Sequence, residues 1–180
     1  LMSAHTQSTH VPVVIVGGGQ AGLSVSWYLS QAQVEHVVVE SKTPTHAWAD
    51  ARWDNFTLVT PNWHCRLPGY SYDGPDPDGF MTRDEVVAWL GGWLETFDAP
   101  IRTHTTGTRR RQIDSATFEL SLQSGGDVEL LQCNQVVVAT GGYPLPVIPP
   151  YASTLDPSVH QVHSEEYFAP EQLPDGAVLV

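Results

Sequence analysis

The chain has 180 residues, 41% of them hydrophobic, and a formal net charge of −12 from 8 basic and 20 acidic side chains. That length and composition suit one domain of ordinary size or somewhat more, and the acidity disfavours nucleic acid or an anionic membrane as the main partner. No apolar run approaches the length needed to cross a bilayer, and the polar N-terminus lacks the basic and apolar parts of a signal peptide, so a cytoplasmic location is the default expectation.

Residues 1–10 read as a flexible lead-in, with Leu1 standing before an expected start at Met2. The stretch Val13-Val14-Ile15-Val16-Gly17-Gly18-Gly19-Gln20-Ala21-Gly22 then joins a continuous β-branched run to a helix through placed glycines. Each glycine has a task in a dinucleotide-binding turn. Gly17 permits the tight exit from the strand, Gly19 lets the backbone approach a pyrophosphate, and Gly22 lets the helix pack close to the strand. The first helical turn aims its free N–H groups and positive dipole end at the phosphates.

The context agrees with that reading. Ala21, Leu23, Val25, Tyr28, Leu29 and Ala32 recur at helical spacing, and His36-Val37-Val38-Val39-Glu40 is a second β-rich run ending in an acid. Glu40 lies 18 positions past Gly22, where such a turn expects a carboxylate for ribose hydroxyls. A carboxylate there repels a ribose 2′-phosphate, so this turn suits FAD or NAD and not NADP.

From residue 41 to residue 79 the periodicity disappears into Trp, Pro, Gly, Asp and Asn. Trp48, Trp53, Phe56, Leu58, Trp63, Leu67 and Tyr70 supply too much apolar surface for disorder, which predicts an ordered excursion packed over a ligand. Residues 83–97 read as a helix opened by a capping box of Thr82 and Glu85, with Val86, Val87, Leu90, Trp93, Leu94 and Phe97 as a core-facing stripe and Pro100 as its stop. Three short runs, residues 101–106, 117–122 and 128–131, suggest a small antiparallel meander. Arg109-Arg110-Arg111 reads as a solvated hairpin edge in preference to an anion site.

Gln135-Val136-Val137-Val138-Ala139-Thr140-Gly141-Gly142 predicts another central parallel strand, whose C-terminal end should meet the crevice beside Gly17. Residues 143–175 are Pro-rich and read as a linker, with a short possible strand at residues 159–163, and residues 177–180 begin another β-like run. Cys65 and Cys133 form no C-x-x-C, so a redox dithiol has no support, and among the scattered histidines the closest pair, His160 and His163, lacks the other ligands a zinc site requires. No nucleophile elbow is present. The expected fold class is therefore α/β, a Rossmann-like dinucleotide-binding domain over residues 11–142 with a parallel central sheet and a small antiparallel meander.

With the Gly-rich turn, Glu40, the Trp-rich excursion and Ala139-Thr140-Gly141 in hand, the chain resembles the FAD-binding half of flavin-containing monooxygenases. Through Arg52-Trp53-Asp54-Asn55-Phe56-Thr57-Leu58 and Cys65-Arg66-Leu67-Pro68-Gly69 it is most similar to the bacterial and YUCCA-type branch. The resemblance implies that Gly17, Gly19, Gln20, Ala21 and Gly22 hold the FAD pyrophosphate and that Glu40 takes the adenosine ribose. It places Lys42 beside the adenosine, Trp48 along the cofactor, Asn55 with His64, Cys65, Arg66 and Leu67 near the flavin ring, and Thr140 with Gly141 at its edge. It further implies reduction by NADPH, reaction with oxygen through a flavin C4a-hydroperoxide, a small organic substrate, and no side chain strictly required as acid or base.

Two departures from the family pattern stand out. In F-x-G-x-x-x-H-x-x-x-[aromatic], His163 and Tyr167 fit while Pro157 and Val159 replace the Phe and Gly. No second Gly-rich turn follows residues 176–180, which would be the first strand of an NADPH-binding domain. The complete cycle is therefore expected to need an NADPH-binding half, on a second polypeptide or on a longer form of the chain. Other readings are an FAD-dependent reductase or oxidase without oxygenation, or a non-catalytic FAD-binding fragment.

Overall fold

A computed structural model describes residues 9–142 and 145–180. Residues 1–8 of the expected lead-in, and Tyr143 and Pro144 of the expected linker, lie outside the described residues.

Strand β1, Thr9–Val16, is the first described element and includes the last two residues of the expected lead-in, because Thr9 and His10 already pair with the neighbouring strand. Helix α1, Gln20–Gln31, follows, then strand β2, His36–Val39. The excursion holds a short helix α2, His46–Asp50, a 3-10 turn at Asn62–His64, and a two-stranded hairpin of β3, Arg66–Leu67, and β4, Tyr70–Ser71. Helix α3, Arg83–Leu94, comes next. Strands β5, Ile101–Arg102, β6, Thr106–Gln112, β7, Phe118–Ser124, and β8, Asp127–Val138, complete the regular elements among the described residues, apart from two later 3-10 turns.

One six-stranded sheet runs in the order β5-β2-β1-β8-β7-β6. The β5-β2, β2-β1 and β1-β8 pairs are parallel, and β8-β7 and β7-β6 are antiparallel. The parallel sheet and the meander are thus joined by a single strand. The sequence split β8 in two because Gln132, Cys133 and Asn134 interrupt its apolar run, yet residues 131–133 pair with β7 on one side and β1 on the other. Ile101 belongs to the opposite edge of the sheet, beside β2, and the first meander strand is β6. Arg109, Arg110 and Arg111 lie exposed on β6, which is the sheet edge they were expected to solvate.

Val13 and Ile15 face one side of the sheet with Val38, and Val14 faces the other with Leu120, Leu122 and Leu131, all buried. This is the period-two burial of a strand covered on both faces. A third cluster places Leu23 of α1 with Leu67, Met81, Val86, Leu90 and Trp93, so the excursion and α3 share one core. Trp93 is fully buried, and its indole N–H donates to the Pro68 carbonyl oxygen at 3.0 Å.

The capping box of α3 is formed: Thr82 and Glu85 satisfy each other's backbone N–H groups. The helix stops at Leu94 and not at Phe97, because the Thr96 hydroxyl donates to the Trp93 carbonyl and draws the backbone out of the helical ladder. Residues 159–163 and 177–180 pair with no strand among the described residues. Leu179 and Val180 are fully exposed, and a lone β-prone segment does not hold strand geometry without a neighbour.

Candidate functional site

The C-terminal ends of β1, β2 and β8 converge on the Gly turn. The Gly17 N–H donates to the Val39 carbonyl at 2.9 Å, and the Ala139 N–H donates to the Val16 carbonyl at 2.8 Å. Gly17 sits at φ +111, and a Cβ there would strike the Ala139 carbonyl oxygen. A Cβ on Gly22 would strike the Gly17 carbonyl oxygen. These two glycines answer to the packing of the chain itself. Gly19 differs, since a Cβ on it would meet no atom of the chain within 4 Å. Packing gives no reason for glycine at that position, whereas close approach of a ligand to the backbone does.

Gly19 is the N-cap of α1 and provides no side-chain cap, and the first turn of α1 carries no acid. Gln20 and Ala21 are exposed. The first N–H groups of this helix are therefore open to an anion from outside.

Glu40 is only 4% exposed and is held from several directions. Oε2 accepts from the Gly18 N–H at 2.7 Å; Oε1 accepts from the Lys42 N–H at 2.8 Å and the Ser41 hydroxyl at 3.1 Å. The His46 ring nitrogen Nδ1 lies 3.4 Å from Oε1. A carboxylate oxygen accepts two hydrogen bonds, so Oε2 keeps capacity toward a ribose hydroxyl. Gly18 adds a steric condition that the sequence reading missed: a Cβ there would come within 3.0 Å of the Glu40 Cβ. Its only sequence signal is its place in a run of three glycines.

Beside α1 lies a cavity of about 200 Å³ whose walls include Gln20, Trp48, His64, Cys65 and Arg66. Five residues singled out from the sequence are thus brought together there. Thr60 and Trp89 also line it and carried no signal in the sequence. Thr140 and exposed Gly141 follow Ala139 at the Gly17 end of the crevice. Lys42 is exposed and meets Glu40 through its backbone N–H. Leu67 is buried in the α3 core behind the wall. Asn55 is exposed and does not line the cavity.

The excursion is pinned by a residue with no sequence signal. Asn62, buried, donates through Nδ2 to the Asp76 carbonyl at 2.9 Å and accepts at Oδ1 from the Met81 N–H at 2.8 Å. Thr45, also missed, takes a left-handed conformation at φ 61 while its N–H donates to the Gly18 carbonyl at 3.0 Å, tying α2 to the Gly turn.

Burial pushes the thiols of both Cys65 and Cys133 above their ordinary value. Cys65 stands in the cavity wall and Cys133 in the sheet core, both free, so they make no dithiol pair. Among the described residues no group of His, Cys, Asp and Glu has metal-site geometry. The Ser26 hydroxyl meets His36 Nε2 at 2.8 Å, but both are buried at the end of β2 remote from the Gly turn. No described helix is long and apolar enough to cross a membrane.

A family model described as pyridine nucleotide-disulphide oxidoreductase matches residues 11–180. The chain belongs to that family. It is 36% identical over 171 residues to a CzcO-like uncharacterized oxidoreductase of Geobacillus kaustophilus, covering 94% of this chain and 47% of the relative. It is 29% identical over 179 residues to the probable indole-3-pyruvate monooxygenase YUCCA10 of Arabidopsis thaliana, covering 93% of this chain and 45% of that protein. The chain thus spans about half the length of the curated relatives it matches. Among solved structures it shares its fold with a mutant flavin monooxygenase from Stenotrophomonas maltophilia, with a TM-score of 0.78 and 24% identity over 91% of this chain and 48% of that one.

Proposed function

We propose that this chain is the FAD-binding portion of an NADPH- and O2-dependent flavoprotein monooxygenase acting on a small organic substrate. One observation carries the reading: Gly19, at which a Cβ would meet no atom within 4 Å, caps an open helix terminus beside Gly18, whose N–H binds the buried, pre-oriented Glu40. The residues present fit FAD. The N–H groups of Gly19, Gln20, Ala21 and Gly22 hold the pyrophosphate, Gly17, whose own N–H is engaged by Val39, shapes the turn beneath it, and Glu40 accepts from the adenosine ribose with Lys42 beside it. Trp48, His64, Cys65 and Arg66 wall the flavin ring, Leu67 supports that wall from behind, and Thr140 and Gly141 close its edge. The exposed position of Asn55, away from the cavity, lends no support to a place at the ring.

Bound FAD, reduced by NADPH, supplies the oxygen chemistry; the chain supplies binding, orientation and a largely apolar wall that limits water. The resemblance to monooxygenases, joined to two free cysteines that stand apart in the cavity wall and the sheet core, favours oxygenation over disulphide reduction. Residues 11–142 form the FAD domain, residues 143–175 a linker, and residues 176–180 the approach to an NADPH-binding half on the rest of a longer chain or on a second polypeptide.

The test is the visible absorption spectrum of the purified protein, with and without added FAD. A flavin spectrum is expected, abolished by Gly19→Val with the circular dichroism unchanged. A colourless protein that takes up no FAD overturns the reading. With an NADPH-binding half present, stoichiometric hydrogen peroxide and no oxygenated product would instead mark a reductase or oxidase, and flavin that stays oxidised would mark a non-catalytic module.

A further inference from the structure

Arg52 follows α2 in the excursion and is half-buried. Its guanidinium carbon lies 4.8 Å from the centre of the Trp48 ring and 5.7 Å from that of Phe56, and these two rings meet edge to face at 6.0 Å. One Nη1 hydrogen donates to the Ala51 carbonyl at 2.9 Å. The other donors of the guanidinium meet no acceptor among the described residues, and no described carboxylate lies within 4.0 Å, although Asp50 and Asp54 flank it in sequence. Asp54 is engaged by Arg83 at 3.2 Å. Arg83, Arg102 and Arg111 each hold a carboxylate, whereas Arg66, Arg109 and Arg110 lie exposed; Arg52 is half-buried, held between two aromatic faces, with its fork left available among the described residues.

The Trp48 ring beneath that fork belongs to the cavity wall, which Arg52 itself adjoins without lining. The Thr45 N–H binds the Gly18 carbonyl, the Trp48 N–H binds the Thr45 carbonyl at 2.8 Å, and Trp48 shares the cavity wall with Gln20 at the start of α1. Stacking on an aromatic ring restrains a planar guanidinium and reduces the freedom it loses on binding, and an unspent fork matches the paired oxygens of a phosphate or carboxylate. We propose that Arg52 is an oxyanion-binding residue of this site, taking a phosphate or carboxylate oxygen pair of the ligand. The inference rests on the FAD reading and adds to it a cationic contact where α1 provides only backbone dipoles.

The experiment titrates the whole protein with FAD and with riboflavin, which lacks the phosphates, following flavin fluorescence for wild type, Arg52→Met and Arg52→Lys. Met keeps apolar contact with Trp48 and removes the fork; Lys keeps the charge and removes the planar pair of donors. If the oxyanion is the dinucleotide phosphate, Arg52→Met weakens FAD about tenfold or more, leaves riboflavin unchanged, and Arg52→Lys falls between. If it is a substrate carboxylate, both flavins bind as in wild type, and a benzoate-induced shift of the bound-flavin spectrum disappears in Arg52→Met. Equal weakening of FAD and riboflavin overturns the proposal, because Arg52 then acts by packing alone. Unchanged flavin affinities with an unchanged or absent benzoate response overturn it as well. Wild-type protein that binds neither flavin overturns the FAD reading itself, an outcome visible before any variant is compared.

Discussion

Helices α1 and α3 are each 12 residues long and begin in opposite ways. The start of α3 is closed by its own residues: Thr82 and Glu85 cap the backbone, and Asp84 and Glu85 meet the positive end of the dipole. The start of α1 has a glycine for a cap, no side-chain cap bond and no acid. One chain thus contains a helix terminus finished internally and one left for an outside anion. The difference separates glycines and acids that serve the fold from those that serve a ligand.

The sharpest way to break this comparison is to put side chains on the glycines of the α1 turn one at a time. Gly22→Val drives a Cβ into the Gly17 carbonyl inside the packed turn and should cost roughly 4 kcal/mol or more, measured by denaturant unfolding. A Cβ at Gly19 meets no protein atom within 4 Å, and Gly19→Val should leave the melting temperature nearly unchanged while flavin retention is lost. A large loss of stability in Gly19→Val would mean that Gly19, too, belongs to the fold.

Smaller effects refine the contrast. Thr82→Ala opens the closed end of α3 and should cost about 1 kcal/mol with no change in flavin content. Thr45→Gly relieves a left-handed β-branched residue on the open side of the molecule, and a gain of up to about 1 kcal/mol is expected, checked by the same unfolding curves. Gln20→Glu gives α1 the acid it lacks. It should stabilise the ligand-free chain by about 0.3–1 kcal/mol and weaken FAD, so stability and affinity move in opposite directions.

The smallest effect depends on pH. Backbone hydrogen bonding to Thr82, followed by its hydroxyl, holds the Glu85 carboxyl below its ordinary range. A depressed folded-state value means that its contribution is present above the unfolded carboxylate value and is lost as pH falls through the folded one. The stability difference between wild type and Glu85→Gln should therefore shrink on acidification. The start of α1 contains no titrating cap, and Gln20→Ala should show no such dependence.

Much of this molecule was legible in its residues because the signals are local. A strand, three glycines, a helical stripe and an acid at the right distance specify a turn without any distant contact, and the Thr82–Glu85 box specifies a helix start in the same way. The sequence alone determined the α/β class, the edge position of the three arginines, the ordered character of the excursion and the convergence of Gly17 with the end of β8. It also brought forward five residues that share one cavity.

Tertiary structure alone decided the rest, because those features depend on partners far apart in the chain. Only pairing with β1 and β7 together made residues 127–138 a single strand, and only pairing with β2 moved Ile101 to the far edge. Asn62 gained its role from Asp76 and Met81, Gly18 from Glu40, and Arg52 from two aromatic rings. The distinction between Gly19 and its neighbours arises the same way. Spacing marks all three glycines alike, and only the atoms packed around each show which one the fold does not need.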